Sequence, residues 1–317
     1  MREAVFKIWL EKNLYDPGVI WLIISFFLLP LSIIFGFIQM IRRALIKPKD
    51  YGIAVVSVGN LTLGGSGKTP LVGAIFTEFS PEIPTCIILR GYARKSHGLQ
   101  YVAKNGEILC DIKTSGDEAM LYAKTLKNAS VLVSENRENA IMQAKKDGFA
   151  LVILDDGFSK FHIEKFEIVL RPSDSPLLPL PLPVAGYRYP PNFYKFADFI
   201  PSLDDIKSTS EISNFPNPHT DKENTILISA IAKPWRLKEF EKHAKASFYF
   251  PDHYDFTKDE IQNLLHKSGA THIICTAKDF VKLENFGLNI SVIELKTTLS
   301  ENFKNQIKAY ITSKLNH

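Results

Sequence analysis

A glycine-rich segment between an apolar run and a helical pattern carries the strongest chemical signal in the sequence. Residues 56–70 read VSVGNLTLGGSGKTP, and such glycines let a backbone approach phosphate without a Cβ clash. In a phosphate-binding loop, Lys68 would neutralise the β- and γ-phosphates and the Thr69 hydroxyl would bind magnesium. The common pattern has glycine where this chain has Thr62. The segment predicts a nucleoside triphosphate site built on Gly64, Gly65 and Gly67.

Acidic residues that could assist phosphoryl transfer lie in two other segments. Asp155 and Asp156 follow the apolar run ALVIL, and P-loop proteins place a carboxylate of the magnesium shell at such a strand end. An Asp-Asp-Gly sequence is also ordinary turn chemistry. Asp117 opens a predicted helix, where acidic residues stabilise the N-terminus. Asp117 could instead accept a hydroxyl proton during transfer, and the residues alone leave both interpretations open.

Three weaker signals lie outside these motifs. The sequence Arg90-Gly91-Tyr92 follows a predicted strand, at the edge where doubly wound sheets bind ligands. Arg137 begins a predicted helix and could reach a phosphate group. His253 lies in a loop, where a single histidine is usually only solvated.

Alternating strands and helices must position these residues. Short apolar runs rich in β-branched residues predict buried parallel strands, and amphipathic segments between them predict helices. The predicted strands are 53–58, 85–89, 131–134, 150–154, 166–170, 225–229, 272–275 and 291–295. The predicted helices are 69–79, 117–126 and 137–146. The pattern indicates an α/β fold, with a P-loop NTPase-like parallel sheet, helices on both faces, and a second, smaller α/β domain.

Composition changes along the chain predict the domain boundaries. The proline-rich segment 172–191 cannot form a regular helix or a central strand, so it is predicted to be a binding loop. Residues 201–224 are polar and are predicted to be a boundary. We predict an N-terminal hydrophobic membrane anchor over 1–50, a P-loop nucleotide-binding and catalytic domain over 51–205, and a smaller α/β domain over 206–317 that contributes to the active-site cleft.

The N-terminal anchor rests on residues 19–40, which carry no formal charge and are long enough to cross a bilayer. Pro30 and Gly36 interrupt this run, so a kinked or shallow helix also fits. Trp21 lies near one end, where an interfacial aromatic residue would lie. Basic residues follow at 42–49, and the positive-inside rule places the rest of the chain in the cytoplasm. The alternative is a buried helix of a soluble protein.

Composition excludes several protein classes. The chain has 317 residues, of which 45% are hydrophobic and 23% charged, so it is neither disordered nor collagen-like. A net charge of +4 is too small to indicate nucleic-acid binding. The three cysteines (Cys86, Cys110 and Cys275) are too widely spaced for a disulfide framework or a zinc site.

Taken in order, the motifs resemble those of the tetraacyldisaccharide 4'-kinase family of lipid A biosynthesis. The resemblance spans residues 59–283, and the family itself has Asn60 and Thr62 at the positions where other P-loops begin with glycine. The matching pieces are Gly59-Asn60-Leu61-Thr62, Gly64-Gly65-Ser66-Gly67-Lys68-Thr69-Pro70, Arg90-Gly91-Tyr92, Gly116-Asp117-Glu118, Asp155-Asp156-Gly157-Phe158, Asp252-His253 and Lys278-Asp279.

The resemblance implies ATP- and Mg²⁺-dependent phosphorylation of the 4'-hydroxyl of a tetraacylated glucosamine disaccharide 1-phosphate, yielding lipid IVA and ADP. It implies that Asp117 is the base, aided by His253. It implies that Gly64, Gly65, Ser66, Gly67, Lys68, Thr69 and Arg137 bind the nucleotide, and that Thr69, Asp155 and Asp156 lie near the metal. We assign the acceptor substrate to Asn60, Arg90, Tyr92 and Arg188.

The resemblance also implies a location and partners. The expected partners are the acylated disaccharide lipid and the inner-leaflet surface of the bacterial inner membrane, with the catalytic domains on the cytoplasmic side. No nucleic acid is expected, and no protein partner can be inferred.

Three positions depart from the family pattern. Ser159 stands where glutamine is usual, Tyr189 where the proline-rich loop usually has a glutamate near the metal, and Tyr254 where a second histidine often follows. The alternatives are a membrane-tethered regulatory P-loop NTPase and a non-catalytic nucleotide-binding scaffold. A guanine-specific GTPase would need an Asn-Lys-x-Asp element, and the adjacent Lys278 and Asp279 have the wrong spacing for one.

Overall fold

The protein is described by a computed structural model that covers residues 2–64, 66–213 and 222–316, with side chains from residue 9 onward. The α-helices are α1 (Arg2–Tyr15), α2 (Val19–Leu45), α3 (Lys68–Phe79), α4 (Ile112–Ser115), α5 (Asp117–Thr125), α6 (Arg137–Lys146), α7 (Lys258–Ser268), α8 (Ala277–Leu283) and α9 (Glu301–Leu315). The strands are β1 (Ala54–Asn60), β2 (Thr85–Leu89), β3 (Gln100–Lys104), β4 (Glu107–Ile108), β5 (Val131–Val133), β6 (Leu151–Asp155), β7 (Phe166–Leu170), β8 (Ile206–Ser213), β9 (Thr225–Ser229), β10 (Ala246–Tyr249), β11 (His272–Thr276) and β12 (Asn289–Leu299).

Residue contacts divide the chain into two compact units, each discontinuous in sequence. Unit 1 comprises Met1–Ile88, Glu138–Ile206 and Leu299–His317, and unit 2 comprises Leu89–Arg137 and Lys207–Thr298. The sequence analysis placed domain boundaries at residues 50 and 205 by the expected function of each part, whereas these units are defined by contacts alone. The predicted boundaries stay a prediction.

Unit 1 is built on parallel strands in the order β2-β6-β1-β7. Every residue of these strands is buried, which explains their continuous apolar runs. The pairing sets Val58 of β1 opposite Asp155 of β6. The carboxyl ends of the two strands, which carry the phosphate-loop and Asp-Asp motifs, therefore lie side by side.

Unit 2 contains a five-stranded sheet in the order β10-β9-β11-β12-β8. Neighbouring strands from β10 to β12 are parallel, and their apolar side chains form one core with α7. Strand β3 pairs with β4 and with β5 in antiparallel fashion. Helix α5 packs against α8, which brings the start of α5 close to lysines on α8. The predicted α/β class, with parallel sheets and a second α/β unit, is confirmed.

The predicted elements match the structure closely where the pattern was apolar and buried. The bounds of β2, β7, β9 and α6 are those predicted. The boundary predicted over 201–224 contains strand β8, and its residues 214–221 lie outside the described part of the chain. Its polar composition reflects the exposure of β8, whose middle residues are open to solvent.

The N-terminal apolar run forms one helix, α2, which continues through Pro30. Its buried residues, spaced to lie on one helix face, are Trp21, Ser25, Ser32, Gly36 and Gln39. The indole N–H of Trp21 donates to the Val184 carbonyl at 3.0 Å, and the Ser32 hydroxyl donates to the Pro181 carbonyl at 2.6 Å. The prediction of Trp21 as an interfacial residue is therefore wrong, because its side chain is buried and its N–H is bound by a carbonyl of the proline-rich loop.

The opposite face of α2 is apolar and exposed. Its exposed side chains include those of Ile23, Phe26, Phe27, Ile34 and Phe37. Only 22% of its most apolar window is buried, so α2 is not the core helix of the soluble-protein alternative. Among the described residues, α2 is the one helix whose length and composition suit a membrane span, a property that core helices and signal sequences can share.

Candidate active site

The phosphate-loop motif adopts the expected strand, loop and helix. Gly67 has a left-handed φ of +86° just before α3, with open space where a Cβ would point, and Gly64 has a φ of +77°. Gly65 was predicted to bind nucleotide but lies outside the described residues. The buried Ser66 hydroxyl oxygen finds no hydrogen-bond partner within the described residues. A loop with glycine freedom and an unsatisfied buried hydroxyl suits a phosphate ligand.

Four polar side chains of unit 1 form a connected cluster, which we call the lysine cluster: Asn60, Lys68, Asp156 and Arg188. Lys68 Nζ donates to Asn60 Oδ1 at 3.0 Å and lies 3.5 Å from Asp156 Oδ1. The Arg188 guanidinium binds both Asp156 oxygens, at 3.0 and 3.1 Å, and also donates to Asn60 Oδ1. The four residues lie on four elements, so the cluster joins the end of β1, the start of α3, the end of β6 and the proline-rich loop.

The charges of the lysine cluster fix the protonation state of Asp156. Burial raises the pKa of this carboxyl, but Lys68 and Arg188 outweigh burial and hold the pKa well below its usual range. Asp156 also has a left-handed φ of +55°, and its amide donates to the Val58 carbonyl at 3.0 Å. This local turn aims the carboxylate of Asp156 at the lysine rather than along the strand.

The predicted metal residues are Thr69, Asp155 and Asp156. Asp155 is the last residue of β6 and is 3% exposed, and Thr69 lies in the first turn of α3. Among the described residues, no group of three or more His, Cys, Asp or Glu side chains could hold a metal ion alone. A hydroxyl with one or two carboxylates fits Mg²⁺, which usually takes its other ligands from substrate phosphates and water.

A second cluster, which we call the aspartate cluster, lies in unit 2: Asp117, His253, Asp252, Lys278 and Lys282. His253 Nδ1 lies 3.1 Å from Asp117 Oδ2, although 136 residues separate the two in sequence. Lys278 Nζ lies 2.8 Å from Asp252 Oδ1 and 3.4 Å from His253 Nε2. Because an ammonium only donates, His253 Nε2 accepts and its Nδ1–H points at Asp117.

Lys282 is the functional candidate that the sequence analysis missed. Its Nζ lies 2.7 Å from Asp117 Oδ2 and donates to the Tyr254 carbonyl at 2.9 Å. Burial raises the pKa of Asp117, but His253 and Lys282 outweigh burial and lower it. The available signal was the four-residue spacing of Lys278 and Lys282, which puts both on one face of α8.

Backbone geometry presents the aspartate cluster. Gly116, with a φ of +82°, precedes Asp117, and a Cβ there would lie 2.8 Å from the Tyr92 carbonyl oxygen. His253 has a left-handed φ of +62°, which costs free energy for a non-glycine residue. The Tyr92 ring lies 5.6 Å from the His253 ring and is 67% exposed. Tyr92 therefore lies beside His253, and its ring is open to a ligand.

The remaining predicted site residues lie in surroundings that differ from one residue to the next. Arg90 is exposed at the end of β2. Arg137 is buried at the start of α6, and its guanidinium donates to the Ser134 carbonyl. Asn60 and Arg188, predicted to bind the acceptor, both contact Lys68 or Asp156 directly in unit 1.

Two of the departures from the family pattern meet in the structure. The side chain of Tyr189 hydrogen-bonds to Ser159, and its ring packs on Phe158 and stacks on Phe193. Burial raises the pKa of Tyr189, so the phenol stays neutral and brings no negative charge to the lysine cluster. The third departure, Tyr254, is held by Glu260, and its carbonyl binds Lys282.

Comparisons with known proteins identify the family of this chain. A family model described as "Tetraacyldisaccharide-1-P 4'-kinase" (LpxK) matches residues 24–312. A protein named "Tetraacyldisaccharide 4'-kinase" from Aliarcobacter butzleri is 42% identical over 99% of both chains. A protein of the same name from Helicobacter pylori strain J99 is 37% identical over 97% of this chain and 96% of its own.

A solved structure is also similar. It is described as an "apo" form of LpxK from Aquifex aeolicus in complex with ATP, with a TM-score of 0.75 and 27% identity, covering 91% of this chain and 99% of its own. The chain carries the family's motifs in order, forms the predicted fold and matches the family over nearly its whole length. The chain therefore belongs to the tetraacyldisaccharide 4'-kinase family.

Proposed function

We propose that this protein transfers the γ-phosphoryl group of ATP to the 4'-hydroxyl of a tetraacylated glucosamine disaccharide 1-phosphate, giving lipid IVA and ADP. The observation that carries the proposal is that both motif clusters are formed in a chain related to named 4'-kinases over nearly full length. The regulatory NTPase and the scaffold are disfavoured, because neither needs the aspartate cluster.

We assign nucleotide binding to the phosphate loop, including Gly65 outside the described residues, to Lys68 and to Arg137. Backbone N–H groups and the N-terminus of α3 stabilise the phosphates, and Lys68 neutralises charge that develops during transfer. Asn60 and Asp156 hold the Lys68 ammonium at the head of α3. Arg188 holds Asp156 and Asn60 in turn, so we assign it to positioning as well as to the acceptor substrate.

We assign Mg²⁺ to Thr69, Asp155 and Asp156. When bound, the ion would offset the negative charge of the triphosphate. The chain supplies a hydroxyl and two carboxylates, and Asp156 remains ionised at neutral pH because of its two cationic neighbours. A neutral Tyr189 adds no third carboxylate, so more of the metal's ligands would come from phosphate and water.

We assign proton removal to Asp117. As the acceptor oxygen bonds to the γ-phosphorus, the bond from that phosphorus to the bridging oxygen of ADP breaks and the hydroxyl proton passes to the Asp117 carboxylate. His253 and Lys282 keep this carboxylate charged and oriented before transfer. Tyr92, exposed beside His253, and Arg90 are assigned to the acceptor.

We propose that α2 holds the protein on the inner-leaflet surface of the inner membrane, with both units in the cytoplasm. Unit 1 covers one face of α2 from Trp21 to Gln39, so the helix would lie in one leaflet rather than cross it. Vesicles of anionic phospholipid test this: Phe26→Glu should abolish flotation, whereas Leu203→Glu, a fully exposed site elsewhere, should not. Equal flotation of the two variants would contradict the assignment.

The reaction itself is tested by product analysis in detergent with Mg²⁺-ATP and the tetraacyl disaccharide 1-phosphate. We expect one ADP released for each lipid that gains a 4'-phosphate, and no transfer to a lipid whose 4'-hydroxyl is blocked. ADP release that does not depend on the lipid would favour a regulatory NTPase. ATP binding without ADP release would favour a scaffold.

A further inference from the structure

The C-terminal end of α1 reaches the phosphate loop through Tyr15, the last residue of that helix. The Tyr15 hydroxyl donates to the carbonyl of Leu63, the residue just before Gly64. A Cβ on Gly64 would lie 3.8 Å from the same hydroxyl oxygen. The family match begins at residue 24, so Tyr15 lies outside the segment that defines the family pattern.

Backbone hydrogen bonds fix the path of the Tyr15 segment. The Gly186 amide donates to the Leu14 carbonyl at 2.9 Å, and the Leu177 amide donates to the Tyr15 carbonyl at 2.9 Å. The Leu63 amide donates in turn to the Gly186 carbonyl at 2.8 Å. Hydrogen bonds thus connect the N-terminal segment to the proline-rich loop, and the proline-rich loop to the phosphate loop.

The Tyr15 ring lies over Gly186. A Cβ at Gly186 would be 3.0 Å from Tyr15 Cε2, closer than side chains normally pack. The Leu14 side chain is also buried, and Asn13 ties the turn by accepting from the Gly18 amide at 3.2 Å. The position of the Tyr15 hydroxyl is therefore determined by packing on both sides.

Short contacts connect Tyr15 to Lys68. Tyr15 also hydrogen-bonds to Thr62, whose side chain is buried. Asn60 Nδ2 donates to the Thr62 carbonyl at 2.8 Å, and Asn60 Oδ1 accepts from Lys68 at 3.0 Å. Tyr15 thus contacts the residues that set Asn60, which holds the lysine.

The chemistry of a phosphate loop explains what this contact does. The loop must turn its N–H groups toward phosphate, so neighbouring carbonyls turn away and need donors of their own. Burial raises the pKa of Tyr15, and the phenol remains a donor at neutral pH. Tyr15 supplies that donor at the Leu63 carbonyl.

We propose that Tyr15 is a positioning residue for the nucleotide: by binding Leu63 and Thr62, it holds the phosphate loop and Lys68 in the geometry that binds ATP. The inference rests on the proposed function only in taking ATP as the nucleotide. It assigns to the N-terminal segment a part in nucleotide binding, besides any part of α2 at the membrane.

The test is the Tyr15→Phe variant of the full chain, titrated calorimetrically with Mg²⁺-ATP in detergent without lipid acceptor. Loss of one hydroxyl that binds the loop should raise the Kd for ATP about fivefold. In turnover, KM for ATP should rise similarly, while KM for the lipid and kcat at saturating ATP stay unchanged. Tyr310→Phe is the matched control, because its hydroxyl accepts from the Val55 amide on β1 at 3.3 Å, far from the loop.

Gly186→Ala gives a second, independent route. Its Cβ would displace the Tyr15 ring without removing the hydroxyl, so it should also weaken ATP binding, and the double variant should be no weaker than the worse single one. If Tyr15→Phe lowers the Tm as Tyr310→Phe does but leaves the Kd for ATP unchanged, Tyr15 is only structural and the inference fails.

The binding and turnover measurements separate this inference from the proposed function. Wild-type protein that binds ATP in a Tyr15-dependent way but phosphorylates no lipid would overturn the function and keep the inference. Normal lipid phosphorylation together with an ATP affinity that does not depend on Tyr15 would keep the proposed function and overturn the inference.

Discussion

The lysine cluster of unit 1 and the aspartate cluster of unit 2 share one arrangement. Each holds an aspartate between two nitrogen-bearing side chains, which lower the pKa of the carboxyl against the effect of burial. The partners of the two aspartates differ in kind. Asp156 is paired with a lysine and an arginine, whereas Asp117 is paired with a lysine and a histidine. Both partners of Asp156 are cations, whereas Asp117 has one cation, Lys282, and the imidazole N–H of His253.

The two clusters also differ in how they are assembled. Asn60 and Lys68 lie eight residues apart on one strand, loop and helix, so local backbone geometry brings them together. Asp117 and His253 meet only because unit 2 folds with α5 packed on α8. The comparison teaches that the Asn60–Lys68 contact is encoded locally, whereas the Asp117–His253 contact depends on the tertiary fold.

The sharpest test of the comparison is Asp117→Asn. Removing the proposed base should lower kcat about a thousandfold, since a general base contributes roughly 10²–10⁴. The Kd for ATP should not change, because the lysine cluster is intact. Steady-state transfer and ATP titration measure the two effects. Glu118→Gln, the same charge change one residue on, is the control, and equal losses in both variants would contradict the assignment.

A complementary change is Lys68→Met. It removes the charge proposed to act on the bound nucleotide, and it should lower kcat/KM for ATP about a hundredfold, as for loss of a transition-state donor. In contrast to Asp117→Asn, the Kd for ATP should rise as well. Lys146→Met, an exposed lysine of unit 1, controls for lost charge. Unchanged ATP binding in Lys68→Met would remove the lysine cluster from the nucleotide site.

The electrostatic difference is tested with Lys282→Met. A charge-assisted hydrogen bond to Asp117 is lost, so kcat should fall about tenfold. Lys282 lowers the pKa of Asp117, so its removal raises that pKa. As the pH is lowered, the variant should therefore lose the ionised carboxylate, and with it activity, at a higher pH than the wild type does. The acid limb of the kcat profile therefore moves toward neutral pH. A limb that stays in place would show that Lys282 does not act through Asp117.

The smallest effect is expected at the two family departures that touch each other. Tyr189→Phe and Ser159→Ala each remove one side of a hydrogen bond, costing about 1 kcal/mol of unfolding free energy. The double variant should cost no more than either single one, as urea unfolding can measure. Transfer activity should stay within about twofold of wild type, because a neutral phenol adds no charge to the site. A large loss of activity in Tyr189→Phe would instead give this residue a catalytic role.

Much of unit 1 could be predicted from sequence because its strands are buried on both faces. Runs such as Thr85–Leu89 and Phe166–Leu170 are mostly apolar, and their predicted bounds match those of the strands in the structure. Strands β3, β4, β8 and β10 were not predicted, because partly exposed residues leave no continuous apolar run. Apolar content identifies strands only where both faces are covered.

The site was predictable to a different degree in each cluster. Lys68 and the paired aspartates follow from local motifs, whereas Asp117 and His253 were singled out with the help of a family resemblance. Lys282 and the Ser159–Tyr189 pair were missed, since the contact that gives each its place in the site is long-range in sequence. Tyr15 was missed for the same reason, being 48 residues from the loop carbonyl it binds.

The packing of α2 has a consequence for how this chain could be shortened. Gly36 has no side chain where Pro181 and Pro190 approach, and a Cβ there would be 3.3 Å from the Pro181 ring. Cutting the chain after residue 45 would expose the proline-rich loop and leave the Val184 and Pro181 carbonyls without the donors from Trp21 and Ser32. A truncated enzyme would not be a soluble version of this one, because removal of the exposed apolar face of α2 would uncover the proline-rich loop instead. The helix and the rest of the protein must therefore be kept in one chain.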